Sequence, residues 1–194
     1  MKRLLVLSLV AAMAAGCSSS GGGTDHAINP YPQLVKQANL DACPKSSTNA
    51  VPGGLPDLTL DCLAPGDPVH LAGLVGKPTV VNIWGSWCEP CQAEEKYLSA
   101  AYRSVKGKVR FLGVDTVDSA NSALDFGAHV SPPVRFPSVV DPDKKLLTAL
   151  LRQGPPYSVF VDASGKVVGK HGGSPYRSTA EVEADINRYL HVTA

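Results

Sequence analysis

The sequence predicts an α/β sandwich built on a central mixed sheet, and three observations carry that expectation. Apolar runs of strand length alternate with segments of helical spacing from Thr79 to the C-terminus. The stretch Trp84-Gly85-Ser86-Trp87-Cys88-Glu89-Pro90-Cys91 sets two cysteines between an apolar run and a helix-compatible one. Ser178-Thr179-Ala180-Glu181 has the spacing of a capping box that opens a last helix. The chain has 194 residues and a formal net charge of +1, enough for one domain with a substantial core. Its near-neutral balance gives no electrostatic case for nucleic acid or for a polybasic membrane patch.

Met1-Lys2-Arg3 and the apolar run Leu4 to Ala15 read as a signal peptide over residues 1–16. The run is shorter than the ~20 residues that a membrane-spanning helix needs. Ala14-Ala15-Gly16-Cys17 resembles the lipobox of bacterial lipoproteins, which implies lipidation of Cys17 and a lipid anchor in the membrane. Ordinary cleavage near Ala14 or Gly16 is the alternative. If Cys17 is lipidated, four cysteines remain, an even set suited to an oxidising compartment. Residues 17–30, rich in serine and glycine, form a flexible tether.

Residues 31–54 form an N-terminal extension, with a short helix over Pro32 to Leu40 and a Ser/Thr/Asn/Gly/Pro loop after Cys43. Leu58 to Leu63 reads as a strand. Cys43 and Cys62 have no other assignment and are paired as a structural disulfide. The rival is a zinc site from Cys43, Cys62, Cys88 and Cys91, but these lack the two tight pairs usual in structural zinc sites.

Thr79 to Trp84 is the next strand, and Gln92 to Val105 a helix with Ala93, Tyr97, Ala101 and Val105 at helical spacing beside Tyr102. Val109 to Val114 is a strand. Ser119 to Val130 is a helix that offers Ala120, Ala123, Leu124 and Phe126 to the core. Phe136 to Asp141 and the helical Lys144 to Arg152 follow. Ser158 to Asp162 and Lys166 to Gly169 make a hairpin around Ala163-Ser164-Gly165, and the last helix sets Val182, Ile186 and Leu190 on one face. No internal repeat is visible.

The chemistry gathers at Cys88. A strand that delivers it to the first turn of a helix places its sulfur near orphan N–H groups and the positive end of the helix dipole, which favour a thiolate. Pro90 needs no N–H there. Cys88 is taken as the more exposed sulfur and the nucleophile, and Cys91, one turn on, as the resolving thiol. A stable disulfide or a metal half-site is the alternative. A haem attachment motif is excluded, because Gln92 stands where that motif needs histidine. Glu89 and Pro90 tune the pair. A carboxylate between the sulfurs disfavours the thiolate and leans towards a reductant, unless Glu89 simply points to water. Trp84 is assigned to the core and Trp87 to a partly exposed contact surface. Glu94, three residues past Cys91, falls on the same side of the helix as the dithiol, with a salt-bridged surface glutamate as the alternative. His70, His129, His171 and His191 lack ligand spacing, so no metal is assigned. No cofactor is assigned beyond the redox-active Cys88–Cys91 disulfide.

Leu55-Pro56-Asp57-Leu58-Thr59-Leu60, Pro68 to Pro78, Val80 to Trp84 and Trp87-Cys88-Glu89-Pro90-Cys91 together resemble the opening of the TlpA/ResA group of extracytoplasmic thioredoxin-like proteins. The resemblance runs to Val192, and a domain is drawn over residues 55–194. It implies a thioredoxin fold, with Phe136 to Arg152 as a βα-type insertion between its halves. It further implies Glu94 in proton handling and Pro156 as a cis-proline packed against the dithiol. Asn82 stands where cytoplasmic thioredoxins carry a buried aspartate. Lys96 replaces a proline common in the group, so the helix should lack a kink there. The function implied is a membrane-tethered extracytoplasmic thiol-disulfide oxidoreductase, on the outer face of the cell membrane or in a periplasm. It would reduce exported protein disulfides such as those of apocytochrome c, and a membrane thiol electron donor would recharge it. A disulfide-forming oxidant of exported proteins and a non-catalytic thioredoxin-like binding lipoprotein are the alternatives.

Overall fold

β3 (Thr79–Trp84) is buried at every position, and its continuous apolar run makes it a central strand. In this computed structural model, which describes residues 31–193, it lies in a seven-stranded sheet of order β2-β1-β5-β4-β3-β6-β7. The other strands are β1 (Thr59–Cys62), β2 (Val69–His70), β4 (Arg110–Thr116), β5 (Ser138–Asp141), β6 (Tyr157–Val161) and β7 (Val167–Gly172). β3, β4 and β5 run parallel, and the remaining pairs are antiparallel. The signal peptide, the tether and Cys17 lie outside the described residues.

Among the described residues there are five α-helices: α1 (Pro32–Ala38), α2 (Glu89–Val105), α3 (Ala120–His129), α4 (Lys145–Ala149) and α5 (Thr179–Leu190). On one face Val80, Phe111 and Phe160 pack with Leu98 and Val105 of α2 and with Val182 and Ile186 of α5. Toward the other end of that cluster, α1 and α3 close over Trp84, Cys88 and Cys91 through Ala38, Ala123 and Leu124. On the opposite face Val81, Ile83, Leu112 and Val159 pack with Leu146 and Leu147 of α4. The residues before β1 belong to this core, since Ala38 is fully buried in it.

Several boundaries differ from the sequence reading for physical reasons. β4 runs on to Thr116, because both parallel neighbours continue the ladder as far as Asp115 and Thr116. α4 stops at Ala149 rather than Arg152: Leu151 takes a left-handed backbone (φ 55°) and Pro155-Pro156 lies just beyond. At α5, Ser178 accepts from the Glu181 N–H as a cap should, but the Glu181 carboxylate accepts from Arg177 N–H, one residue before the cap.

α2 runs unbroken past Lys96, and its buried stripe is shifted from the expected one. Ala93 faces water, whereas Glu94, Glu95, Leu98, Ala101, Tyr102 and Val105 face the sheet. Glu95 is buried and accepts from Ser99 Oγ at 2.6 Å. Burial pushes its carboxyl up to about 8, from the ordinary 4.5.

The segment after α1 covers the β2 edge. Ser46 Oγ accepts from His70 N–H, Val51 N–H donates to the Ala72 carbonyl, and the His70 ring lies between the Ser47 carbonyl and Asp57. Cys43 and Cys62 form a disulfide that ties this segment to β1 across a sequence separation of 19.

Two stability measurements follow. Replacing both Cys43 and Cys62 by alanine lowers the unfolding free energy by about 3 kcal/mol, as read by urea titration, the loop-closure value for such a separation. Between its ordinary and its folded proton affinities, Glu95 holds a proton in the native state that the unfolded chain has released. Stability therefore falls as pH rises through the range up to about 8. In Glu95→Gln that decline is reduced, and the variant exceeds the parent above pH 8 by more than about 1 kcal/mol.

Candidate active site

Cys88 arrives where the strand-to-helix reading puts it, as the N-cap residue of α2, with Glu89 and Pro90 as its first two helical residues. Its Sγ accepts from the Cys91 N–H at 3.3 Å, so one of the orphan donors of the helix start points at the sulfur. Cys88 and Cys91 are joined as a disulfide. The four cysteines therefore form two disulfides, and no metal-binding cluster occurs among the described residues. The expected asymmetry in exposure is absent. Cys88 is 3 % and Cys91 4 % exposed, because α1 and α3 pack against both sulfurs.

The loop before Cys88 is held from β4 and the turn after it. Ser86 N–H donates to Asp118 Oδ2 at 2.8 Å, and Trp87 Nε1 donates to the Thr116 carbonyl at 3.1 Å. A Cβ at Gly85 would come within 2.6 Å of Trp87 Nε1, so any other residue shifts the indole from this position. Trp87 is half exposed and stands beside exposed Val117, while Trp84 is buried against Phe126. Glu89 is exposed at the helix mouth.

Behind Cys91 lies a buried polar cluster. Glu94 is 1 % exposed and makes no surface salt bridge. It accepts from Asn82 Nδ2 at 3.1 Å and from the Tyr176 N–H at 2.9 Å, and Asn82 also donates to Ser158 Oγ. Burial raises the proton affinity of this carboxyl, and the two hydrogen bonds oppose that rise. Asn82 thus holds the acid of α2 from the central strand.

The sequence reading passed over three further groups here. Glu95 lies beside Glu94 and raises the local carboxyl count to two. Asp115, partner of Trp84 across the β3–β4 ladder, is buried beside the Asp118 carboxylate. Burial and the charges of Asp118 and Asp141 push it up to about 9. His171 stacks on Tyr176 and meets Asp185. A stripe in register with Leu98 and Tyr102 was the available signal for Glu95, whereas for Asp115 and His171 only the strand registers reveal the surroundings.

On the far side of β3, Pro156 follows a cis Pro155–Pro156 bond and leads into β6, where Tyr157 pairs with Ile83. Neither proline carries an N–H, so this rim offers only carbonyls. The arrangement sets two sulfurs one helical turn apart, a buried carboxyl and a proline pair at one end of the sheet.

Comparisons with known proteins agree with this geometry. The thiol-disulfide oxidoreductase ResA of Bacillus subtilis (strain 168) is 34% identical over 104 residues, 53% of this chain and 57% of that protein. This chain thus spans little more than half the length of that relative. The thiol:disulfide interchange protein DsbE of Escherichia coli (strain K12) is 27% identical over 143 residues, 73% of this chain and 75% of that one. MTB DsbF, solved in mixed oxidised and reduced forms, superposes with a TM-score of 0.62 at 27% identity, covering 73% of this chain and 100% of its own. A thioredoxin-like protein from Porphyromonas gingivalis shares the fold at 22% identity, with a TM-score of 0.58 over 74% of this chain and 95% of that one. The Redoxin family profile matches residues 51–186. That span starts before β1 and ends within α5, taking in the Cys88–Cys91 pair, Glu94 and cis-Pro156, and on this extent the chain belongs to the Redoxin family.

Proposed function

We propose that this chain is an extracytoplasmic thiol-disulfide oxidoreductase that works through Cys88 and Cys91, tethered to a membrane through Cys17 and reducing disulfides of exported proteins. The observation that carries the reading is the Cys88 sulfur at the mouth of α2, bonded to the Cys91 N–H, with the buried Glu94 carboxyl one turn beyond. The second disulfide, Cys43–Cys62, supports an oxidising compartment. No helix among the described residues is long and apolar enough to cross a membrane, so the tether reading rests on the Cys17 motif.

In the reducing direction the Cys88 thiolate attacks a substrate disulfide. A mixed disulfide forms at Cys88 Sγ, and one substrate sulfur leaves as thiolate and is protonated. Cys91 then gives its proton to Glu94 and attacks Cys88 Sγ. That bond releases the second substrate thiolate and closes the Cys88–Cys91 disulfide. Two electrons have passed to the substrate, and a membrane thiol donor returns them. Glu94 suits the proton step because burial keeps its affinity above that of a free carboxylate. Pro156 bounds the cleft without a competing donor. Glu89 adds negative charge beside the thiolate, which favours electron donation, and Trp87 with Val117 offers an apolar contact for the substrate chain. Reduction of apocytochrome c cysteines is the specific task the TlpA/ResA resemblance supports.

The Cys91 N–H bond to Cys88 favours a second reading, a disulfide-forming oxidant, since stabilising the thiolate raises the reduction potential. The potential decides between them. A value near about −270 mV, that of thioredoxin, is expected for the reductant, and one near about −120 mV overturns it in favour of the oxidant.

Variants test the roles separately. Cys91→Ser, once reduced, accumulates a mixed disulfide with a model substrate at Cys88, visible by mass spectrometry, while Cys88→Ser forms none. Retention of the full biological activity in Cys88→Ser would leave only a binding role. Glu94→Gln slows release from the mixed disulfide by roughly 10²-fold or more in stopped-flow, the lower range for losing a positioned acid–base group.

A further inference from the structure

The proton step assigned to Glu94 depends on what aims hydrogen bonds at its carboxylate, and one of the two donors is a backbone N–H from a connecting segment. Tyr176 lies between β7 and α5, and an unanchored connection would not hold its N–H 2.9 Å from Glu94 Oε2. Its anchor is specific. The Tyr176 ring is 2 % exposed and stacks on His171 with centroids 3.9 Å apart and planes 16° from parallel. Tyr176 Oη donates to Asp185 Oδ2 at 3.0 Å, and His171 Nδ1 meets the same oxygen at 3.0 Å. His171 Nε2 faces the Ser174 carbonyl at 3.2 Å.

Both ring nitrogens of His171 thus meet groups that only accept, and both contacts are made in full when each nitrogen carries a proton. A positive charge on the ring, between Asp185 and the Glu94 cluster, favours the Glu94 carboxylate.

We propose that His171 is a positioning residue for Glu94: pinned by Asp185 and stacked on Tyr176, it aims the Tyr176 N–H at the carboxylate that takes the Cys91 proton. This rests on the reading of Glu94 as proton acceptor. The groups around Glu94 are Asn82 of β3, Ser158 of β6, His171 of β7, Tyr176 of the connection with Asp185 of α5 behind it, and Glu95 on its own helix. Of these, His171 and Tyr176 tie the β7–α5 side of the sheet to the acid, and His171 is the one basic side chain.

The test compares the parent with His171→Phe, which retains a flat ring on Tyr176 but loses the bonds to Asp185 and Ser174, and with His171→Ala. Two quantities are read: the carboxyl titration of Glu94 by carbon-13 NMR, and the pH dependence of mixed-disulfide resolution by Cys91. Loss of the basic side chain and of the aimed N–H raises the proton affinity of Glu94, so the acid limb moves to higher pH. Resolution on that limb slows about threefold or more in His171→Phe, the equivalent of half a pH unit, and further in His171→Ala. Resolution matches the parent at high pH. In a Glu94→Gln background His171→Phe adds no further shift. A lowered Tm with the Glu94 titration unmoved assigns His171 to stability alone and overturns the proposal. Should Glu94→Gln leave the resolution profile of the parent intact, the acceptor reading fails, and the Glu94 titration still decides the part played by His171.

Discussion

The contact on which the rest depends is the Cys91 N–H pointing at the sulfur of Cys88. It exists because a fully buried strand ends at Trp84 and a helix begins at Glu89, leaving four residues to turn the chain. Everything nearby serves that turn. Gly85 lets the Trp87 ring approach the backbone, Thr116 and Asp118 hold the loop from the next strand, and Pro90 sits in the first helical turn, where its missing N–H has no consequence. Parallel pairing of β3 with β4 brings these groups level, since Trp84 and Asp115 are direct partners in the ladder.

The same arrangement places carboxyls in an apolar layer. Glu94, Glu95 and Asp115 are buried near one end of the sheet, and burial raises the proton affinity of all three. Stability alone would favour apolar residues at such places. They differ in how they are held. Glu94 has two donors, Glu95 has the Ser99 hydroxyl, and Asp115 faces the carboxylate of Asp118. Glu94 has two donors that favour its charged form where Glu95 has one, and they tie it to β3 and to the connection between β7 and α5.

Much of this was legible in the chain itself. The alternation of strand and helix, the cysteines at a strand–helix junction and the proline pair before β6 are local patterns, and local patterns survive without knowledge of the tertiary structure. The stripe of α2 held at Ala101, Tyr102 and Val105, but Ala93 faces water and the helix turns its acidic pair inward. Hydrophobicity locates a buried face only when the buried residues are apolar. The exposure of Cys88 was misread for a related reason: the residues that cover it come from α1 and α3, remote in sequence. His171 offered no signal, since its meaning lies in a ring and a carboxylate brought to it by β7 and α5.

The rim of the sheet has a bearing on the company this molecule keeps. β2 is two residues long and is overlaid by the Ser46 to Val51 crossing, while β7 at the other margin carries Lys170 among glycines. Neither margin presents the long, flat, apolar ribbon on which a loose polypeptide adds itself as another strand. An extended polypeptide that meets this molecule therefore finds no margin of the sheet on which to lengthen it, and contact with it does not seed clumping.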